Sequence, residues 1–154
     1  IRAPINTPFN TQFGFAWHIT PRTDIAVDFR YIAYSHVTVI GKSPDAGGFG
    51  WDDTTAILVG IQHRFGENLT VRGGIQLSNS ALPKENAFAG ALVPGMQRKG
   101  FGVGAAYKIN KKWEVSGDFE GILRGGLTDP GTGGTVSALG AGTHITGYAF
   151  GINL

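Results

Sequence analysis

Residues 54–79 read TTAILVGIQHRFGENLTVRGGIQLSN, two alternating runs joined by Gly66-Glu67-Asn68. In the first run Ile57, Val59, Ile61 and Phe65 stand apart from Gln62 and Arg64. In the second, Leu69, Val71, Ile75 and Leu77 alternate with Thr70, Arg72, Gln76 and Ser78. Successive side chains of a strand point to opposite faces, so each run predicts a strand with one apolar and one polar side. The intervening Gly-Glu-Asn is built from turn-forming residues. The stretch is therefore a hairpin, and it sets the template for the rest of the chain.

The same pattern repeats on both sides of it. Upstream, Phe13, Phe15, Trp17 and Ile19 alternate with Gln12, Gly14, Ala16, His18 and Thr20. Ile25, Val27, Phe29, Tyr31 and Ala33 follow, with Asp28 and Arg30 between them. Downstream, Phe101, Val103, Ala105, Tyr107 and Ile109 oppose Arg98, three glycines and Lys108. Trp113, Val115, Phe119 and Leu123 oppose Glu114, Ser116, Asp118, Glu120 and Arg124. The last segment switches parity, with Tyr148, Phe150, Ile152 and Leu154 on one face. Seven segments alternate in this way and none shows a 3.6-residue stripe, so the chain is predicted to be all-β.

Composition removes other classes. Glycine accounts for 25 of 154 residues, roughly twice the usual ~7 %. A disordered tail does not carry 10 Phe, 3 Trp and 4 Tyr. Cysteine is absent, which excludes a disulfide scaffold and a zinc knuckle. The net charge is +2 and the cations are scattered, so no nucleic-acid partner is expected. The chain opens Ile1-Arg2-Ala3-Pro4 without a secretory apolar segment. A mature product or a piece of a longer chain is the expectation.

The connectors carry the next inference. Pro21 to Asp24, Gly66 to Asn68 and Asn110 to Lys112 are short turns. Between them lie long Gly-, Pro-, Ser- and Thr-rich connectors, about Ser35 to Asp53, Ser80 to Gln97 and Gly125 to Gly140. Outer-membrane barrels alternate short inner turns with long outer loops in this manner. A tilted strand crosses the bilayer in ~9–11 residues, which these segments reach. The predicted fold is an antiparallel up-and-down transmembrane β-barrel portion in the bacterial outer membrane, whose apolar face meets lipid. Aromatics near strand ends, such as Trp17, Phe65, Tyr107, Trp113, Tyr148 and Phe150, suit the interfacial girdles.

The same alternation turned inside out describes a soluble ligand-binding barrel of lipocalin type. Alternation by itself leaves that alternative open. Loop asymmetry, strand length and the glycine-rich polar face favour the membrane.

The polar face would line the lumen. Its candidate residues are His18, Asp28, Arg30, Gln62, Arg64, Arg72, Gln76, Lys108, Glu114, Asp118, Glu120 and Arg124. Charges inside a barrel must be paired or wet, so Asp118 and Glu120 are expected to network with Arg64, Arg72 and Arg124. An apolar group in the second long connector, Leu82, Phe88, Leu92, Val93 and Met96, is either local packing or a capture site for a hydrophobic solute.

Strand parity bears on domain organisation. If the short turns are periplasmic, the first and last of seven strands both run inward. A complete barrel of this kind has an even count with both ends inside. Residues 1–154 are therefore expected to be a single domain, the carboxyl-terminal part of a larger barrel. A strand hidden within Ser35 to Ile40 or Gly133 to Ala141 is the alternative explanation.

The order of several stretches resembles the FadL/TodX family of outer-membrane transporters for hydrophobic compounds. They are Phe13-Gly14-Phe15-Ala16-Trp17 with Asp24 to Asp28, Trp51-Asp52-Asp53-Thr54 leading into Val59 to His63, and Asn68 to Gly74. Ala81-Leu82-Pro83, Leu92-Val93-Pro94-Gly95 and Gly102 to Tyr107 complete the series. The resemblance implies a fourteen-stranded barrel, of which seven strands are the carboxyl-terminal half. It also implies passive uptake of long-chain fatty acids or aromatic hydrocarbons, gated by an amino-terminal plug and a lateral opening. The partners then expected are membrane lipid, a hydrophobic small molecule, and the amino-terminal half or another chain at the open strand edges. A structural or assembly subunit without transport is the alternative function.

No enzymatic chemistry and no cofactor are expected. Gly41-Lys42-Ser43 lacks the earlier glycine of a phosphate-binding loop, since His36 stands there. Gly100, Gly102 and Gly104 lie within a strand and open no helix. The four histidines lack metal-ligand spacing. Asn68-Leu69-Thr70 matches a glycosylation acceptor only formally. Asp118 and Glu120 share a face, but a carboxylate dyad needs a closed pocket and shifted pKa values.

Overall fold

The computed structural model describes residues 6–87, 99–132, 139–140 and 142–153, with the backbone alone for residues 124 and 142–145. Among the described residues seven strands form one sheet: β1 (Phe9–Thr20), β2 (Thr23–Ala33), β3 (Thr54–Phe65), β4 (Leu69–Ser78), β5 (Lys99–Lys108), β6 (Glu114–Thr128) and β7 (Gly142–Asn153). Their spatial order is their chain order, and every neighbouring pair is antiparallel. This is the up-and-down sheet predicted from the alternation. Residues 35–40 hold short helical turns rather than a further strand. Residues 133–138 and 141 lie outside the described residues.

The register converts sequence parity into two continuous faces. One row across the sheet is Trp17, Ile25, Ile61, Gly73, Val103, Phe119 and Phe150. The next is Phe15, Val27, Val59, Ile75, Phe101, Gly121 and Tyr148. These side chains pack sideways on each other, as in the Phe13–Phe29 stack at 5.3 Å and the Phe119–Tyr148 stack at 5.9 Å. Among the described residues nothing packs above them: Ile61 is 51 % exposed and Val103 is 53 % exposed. In β3 the odd, apolar positions are more exposed than the even ones beside them. A water-soluble sheet shows the reverse, because exposed apolar area costs about 25 cal/mol per Å². The pattern suits a lipid-facing surface.

Two boundaries differ from the sequence pattern. β2 begins at Thr23, so the first turn shrinks to Pro21-Arg22 and Asp24 joins the sheet. β6 runs on to Thr128, with a register shift between Ile122 and Gly125. An extra residue on one strand makes a bulge and resets which side chains face which way. Past the bulge Leu127 is buried against Leu82 and Ala87, with Trp51 packed on the group.

This small core lies at the long-loop end. The first long connector folds into helical turns at Tyr34–His36, Thr38–Gly41 and Pro44–Ala46. It is tied to the second by Asp52 N–H donating to the Ala81 carbonyl at 2.6 Å, and by the Asn86 amide donating to the Gly50 carbonyl at 3.0 Å. Thus the connectors form a cap at the rim. No described helix is long and apolar enough to cross a membrane.

Candidate conduit on the concave face

The even-numbered residues of β1 to β6 share the face opposite the apolar rows. One row is His18, Asp24, Gln62, Arg72, Gly104 and Asp118. Asp28 stands in the row of Leu58 and Gln76, Arg30 opposite Ala56, Glu120 opposite Gly102, Arg64 opposite Thr70, and Lys108 opposite Glu114. Eleven of the twelve predicted lumen residues therefore lie on one face; the side chain of Arg124 is outside the described residues.

Between the polar rows runs one whose members, apart from Glu120, are all small: Ala16, Ala26, Gly60, Gly74, Gly102 and Ala149. Absent side chains leave space, and a cavity of about 540 Å³ lies along this row and its neighbour. Asp28, Gln76 and Glu120 supply polar groups to it, while Leu58 and Ile122 supply apolar ones. The result is a trough with small-residue walls and polar flanks. Among the described residues no group of three His, Cys, Asp or Glu could hold a metal.

Toward the short-turn end the polar face carries a hydrogen-bonded hub. Asp24 accepts from Arg64, pairs with the His18 ring, and accepts from the Gln62 amide at 3.0 Å. Gln62 in turn accepts from Arg72 Nε at 2.7 Å. The chain of contacts spans β1 to β4. Sequence reasoning assigned the arginines to Asp118 and Glu120, but among the described residues neither carboxylate ion-pairs with them. Asp24 was missed because it was assigned to the turn. Its even position, six residues after His18, was the available signal.

At the opposite end Asp53 pins the first connector to the rim. Its carboxylate accepts from the Tyr31 phenol and from the Ser35 backbone N–H, the latter at 2.9 Å. The Tyr31 phenol above all, then the Ser35 donors, hold the Asp53 carboxyl down to about 2. Of the predicted capture group, Leu82 is fully buried in the cap core. Phe88, Leu92, Val93 and Met96 lie outside the described residues.

An exposed apolar face, an opposite polar face and long loops at one rim are the features of an outer-membrane β-barrel. The family described as "Outer membrane protein transport protein (OMPP1/FadL/TodX)" matches residues 1–123. The chain belongs to that family, and its place is the bacterial outer membrane. Solved structures agree on the fold. The Pseudomonas putida toluene transporter TodX superposes with a TM-score of 0.63 at 17 % identity, over 92 % of this chain and 32 % of its own. The Ralstonia pickettii toluene transporter TbuX gives 0.61 at 16 % identity, over 95 % and 32 %. A TodX deltaS2S3 mutant described as a monoaromatic hydrocarbon channel gives 0.66 at 16 % identity, over 94 % and 34 %. The chain thus spans about a third of the length of these barrels. No curated protein matches it in sequence.

Proposed function

We propose that this chain is the carboxyl-terminal part of a larger barrel that passes hydrophobic small molecules, aromatic hydrocarbons or long-chain fatty acids, passively across the outer membrane. In this reading residues 1–154 are one domain. The remainder of the barrel pairs with the open edges of β1 and β7, because an unpaired strand edge in hydrocarbon costs several kcal/mol per backbone group. The apolar rows contact lipid. The trough of about 540 Å³ is the observation that carries the reading, since its row of small residues clears a path that larger side chains would close. His18, Asp28, Arg30, Gln62, Arg64, Arg72, Gln76, Lys108, Glu114, Asp118, Glu120 and Arg124 shape the interior wall. No covalent step is involved. The outer connectors, with Phe88, Leu92, Val93 and Met96, meet the solute first.

The test is uptake by the intact parent protein. Cells with and without it are compared for entry of labelled toluene and labelled oleate. Loss of either uptake on deletion, restored by re-expression, supports the reading. Unchanged uptake of both, with the protein shown to be folded in the outer membrane of the expressing cells, defeats it. A scaffold role would instead leave uptake intact.

A further inference from the structure

A second cavity, of about 280 Å³, lies on the concave face beside the cap. Its floor comes from β2, β3 and β4, where Arg30, Ala56 and Ser78 stand side by side. Tyr34 and Trp51, brought in by the first long connector, add two rings in edge contact at 5.1 Å and 84°. The passage of a plain hydrocarbon needs none of the polar groups gathered here.

Three features narrow the guest. The first is size. A cavity of ~150 Å³ accommodates benzene, so this one has room for a single ring with a short substituent. The second is the ring pair, which offers an edge and a face to a planar guest. The third is charge and donor supply. Arg30 donates through Nε to the Asn10 side chain at 3.4 Å, and among the described residues no carboxylate lies within ion-pair distance of it. Its remaining guanidinium donors suit a planar carboxylate, which the fork binds through two parallel hydrogen bonds. Trp51 Nε1 and Thr54 Oγ1, on two residues that line the same cavity, are buried and, among the described residues, lack a hydrogen-bond partner, so the wall of the cavity keeps unmet polar capacity.

We propose that this cavity is a binding site for a single-ring aromatic carboxylate, its ring against Tyr34 and Trp51 and its carboxylate on Arg30. The proposal rests on the concave face being the inside of a conduit, and it adds a charged aromatic class to the solutes handled there.

The probes are benzoate and its neutral counterpart benzyl alcohol, titrated calorimetrically into the intact protein in detergent. Benzoate is expected to bind saturably, at least tenfold more tightly than benzyl alcohol. Arg30→Gln should erase that preference and Arg30→Lys should restore part of it. Lys111→Gln, which removes a cation at an exposed short turn, should leave the ratio as it was. A preference that survives Arg30→Gln, or no preference at all, overturns the proposal. Toluene flux into liposomes is recorded with the same protein. Flux without a benzoate preference sinks this site and leaves the uptake reading standing. An Arg30-dependent preference without any hydrocarbon flux does the opposite.

Discussion

Filling the trough is the most direct challenge to the proposed path. Gly60 and Gly102 lie in one row, separated by Gly74. A Cβ built at either meets no atom nearer than 3.8 Å, whereas one at Gly74 would lie 3.1 Å from the Val59 carbonyl oxygen. Gly60→Phe combined with Gly102→Phe therefore adds two rings without backbone conflict. The two positions are two strand spacings apart, ~9.5 Å. Each ring has about the bulk of a benzene, which fits a ~150 Å³ cavity. Two such rings take up on the order of half of the 540 Å³. Forcing a solute past rings that must shift costs ~1–3 kcal/mol by analogy with overpacked cores. At ~1.4 kcal/mol per decade, toluene flux should fall about 5- to 150-fold. Folding should survive, because phenylalanine is favoured over glycine in strands by up to ~1 kcal/mol. The assay is toluene flux into proteoliposomes holding the intact protein, with Gly60→Ala/Gly102→Ala as the matched small control. Flux within twofold of the native value, in a double phenylalanine variant still folded by SDS-gel mobility, refutes the path.

Other perturbations follow from the two faces and the rim. Ile61→Arg places a cation on the apolar face and should destabilise the folded barrel by up to ~2–4 kcal/mol, measured by urea unfolding in lipid vesicles; a change below ~0.5 kcal/mol contradicts a lipid-facing Ile61. Leu82→Ala opens a gap in the cap core and should cost ~2–5 kcal/mol locally, seen as faster protease cutting of the connectors while the strands stay protected. The Asp53 carboxyl, free near 3.8, is held at about 2 when folded. A lowered folded value means its contribution is complete above about pH 4 and is lost as pH falls through about 2. The Ser35 amide should lose hydrogen-exchange protection across that window, after correction for the intrinsic rate, and Asp53→Asn should remove the pH step. Protection that is flat from pH 5 to 2 would argue against an Asp53 tie.

Much of the sheet was legible before any coordinates. Period-two patterning is local, and a strand pair joined by a short turn has its register set by that turn and by which face is apolar. Hence Ile57 to Phe65 and Leu69 to Leu77 fell on the expected side. Two features escaped. The bulge after Ile122 depends on how β6 and β7 share one ladder, and no local pattern marks it. Asp24 looked like a turn residue because Pro21, Arg22 and Thr23 precede it, yet it takes three partners from β1 and β3.

The cap and the second cavity were further out of reach. Tyr34 and Trp51 come from opposite ends of the first long connector and Leu127 from β6, and their spacing carries no periodic signal. Sequence alone settled the all-β class and which residues share a face, because side chains alternate along every strand whatever surrounds it. Only the tertiary arrangement could decide where charges meet and where space is left. Those outcomes depend on contacts between residues far apart in the chain, such as Asp24 with Arg64 and Trp51 with Leu82.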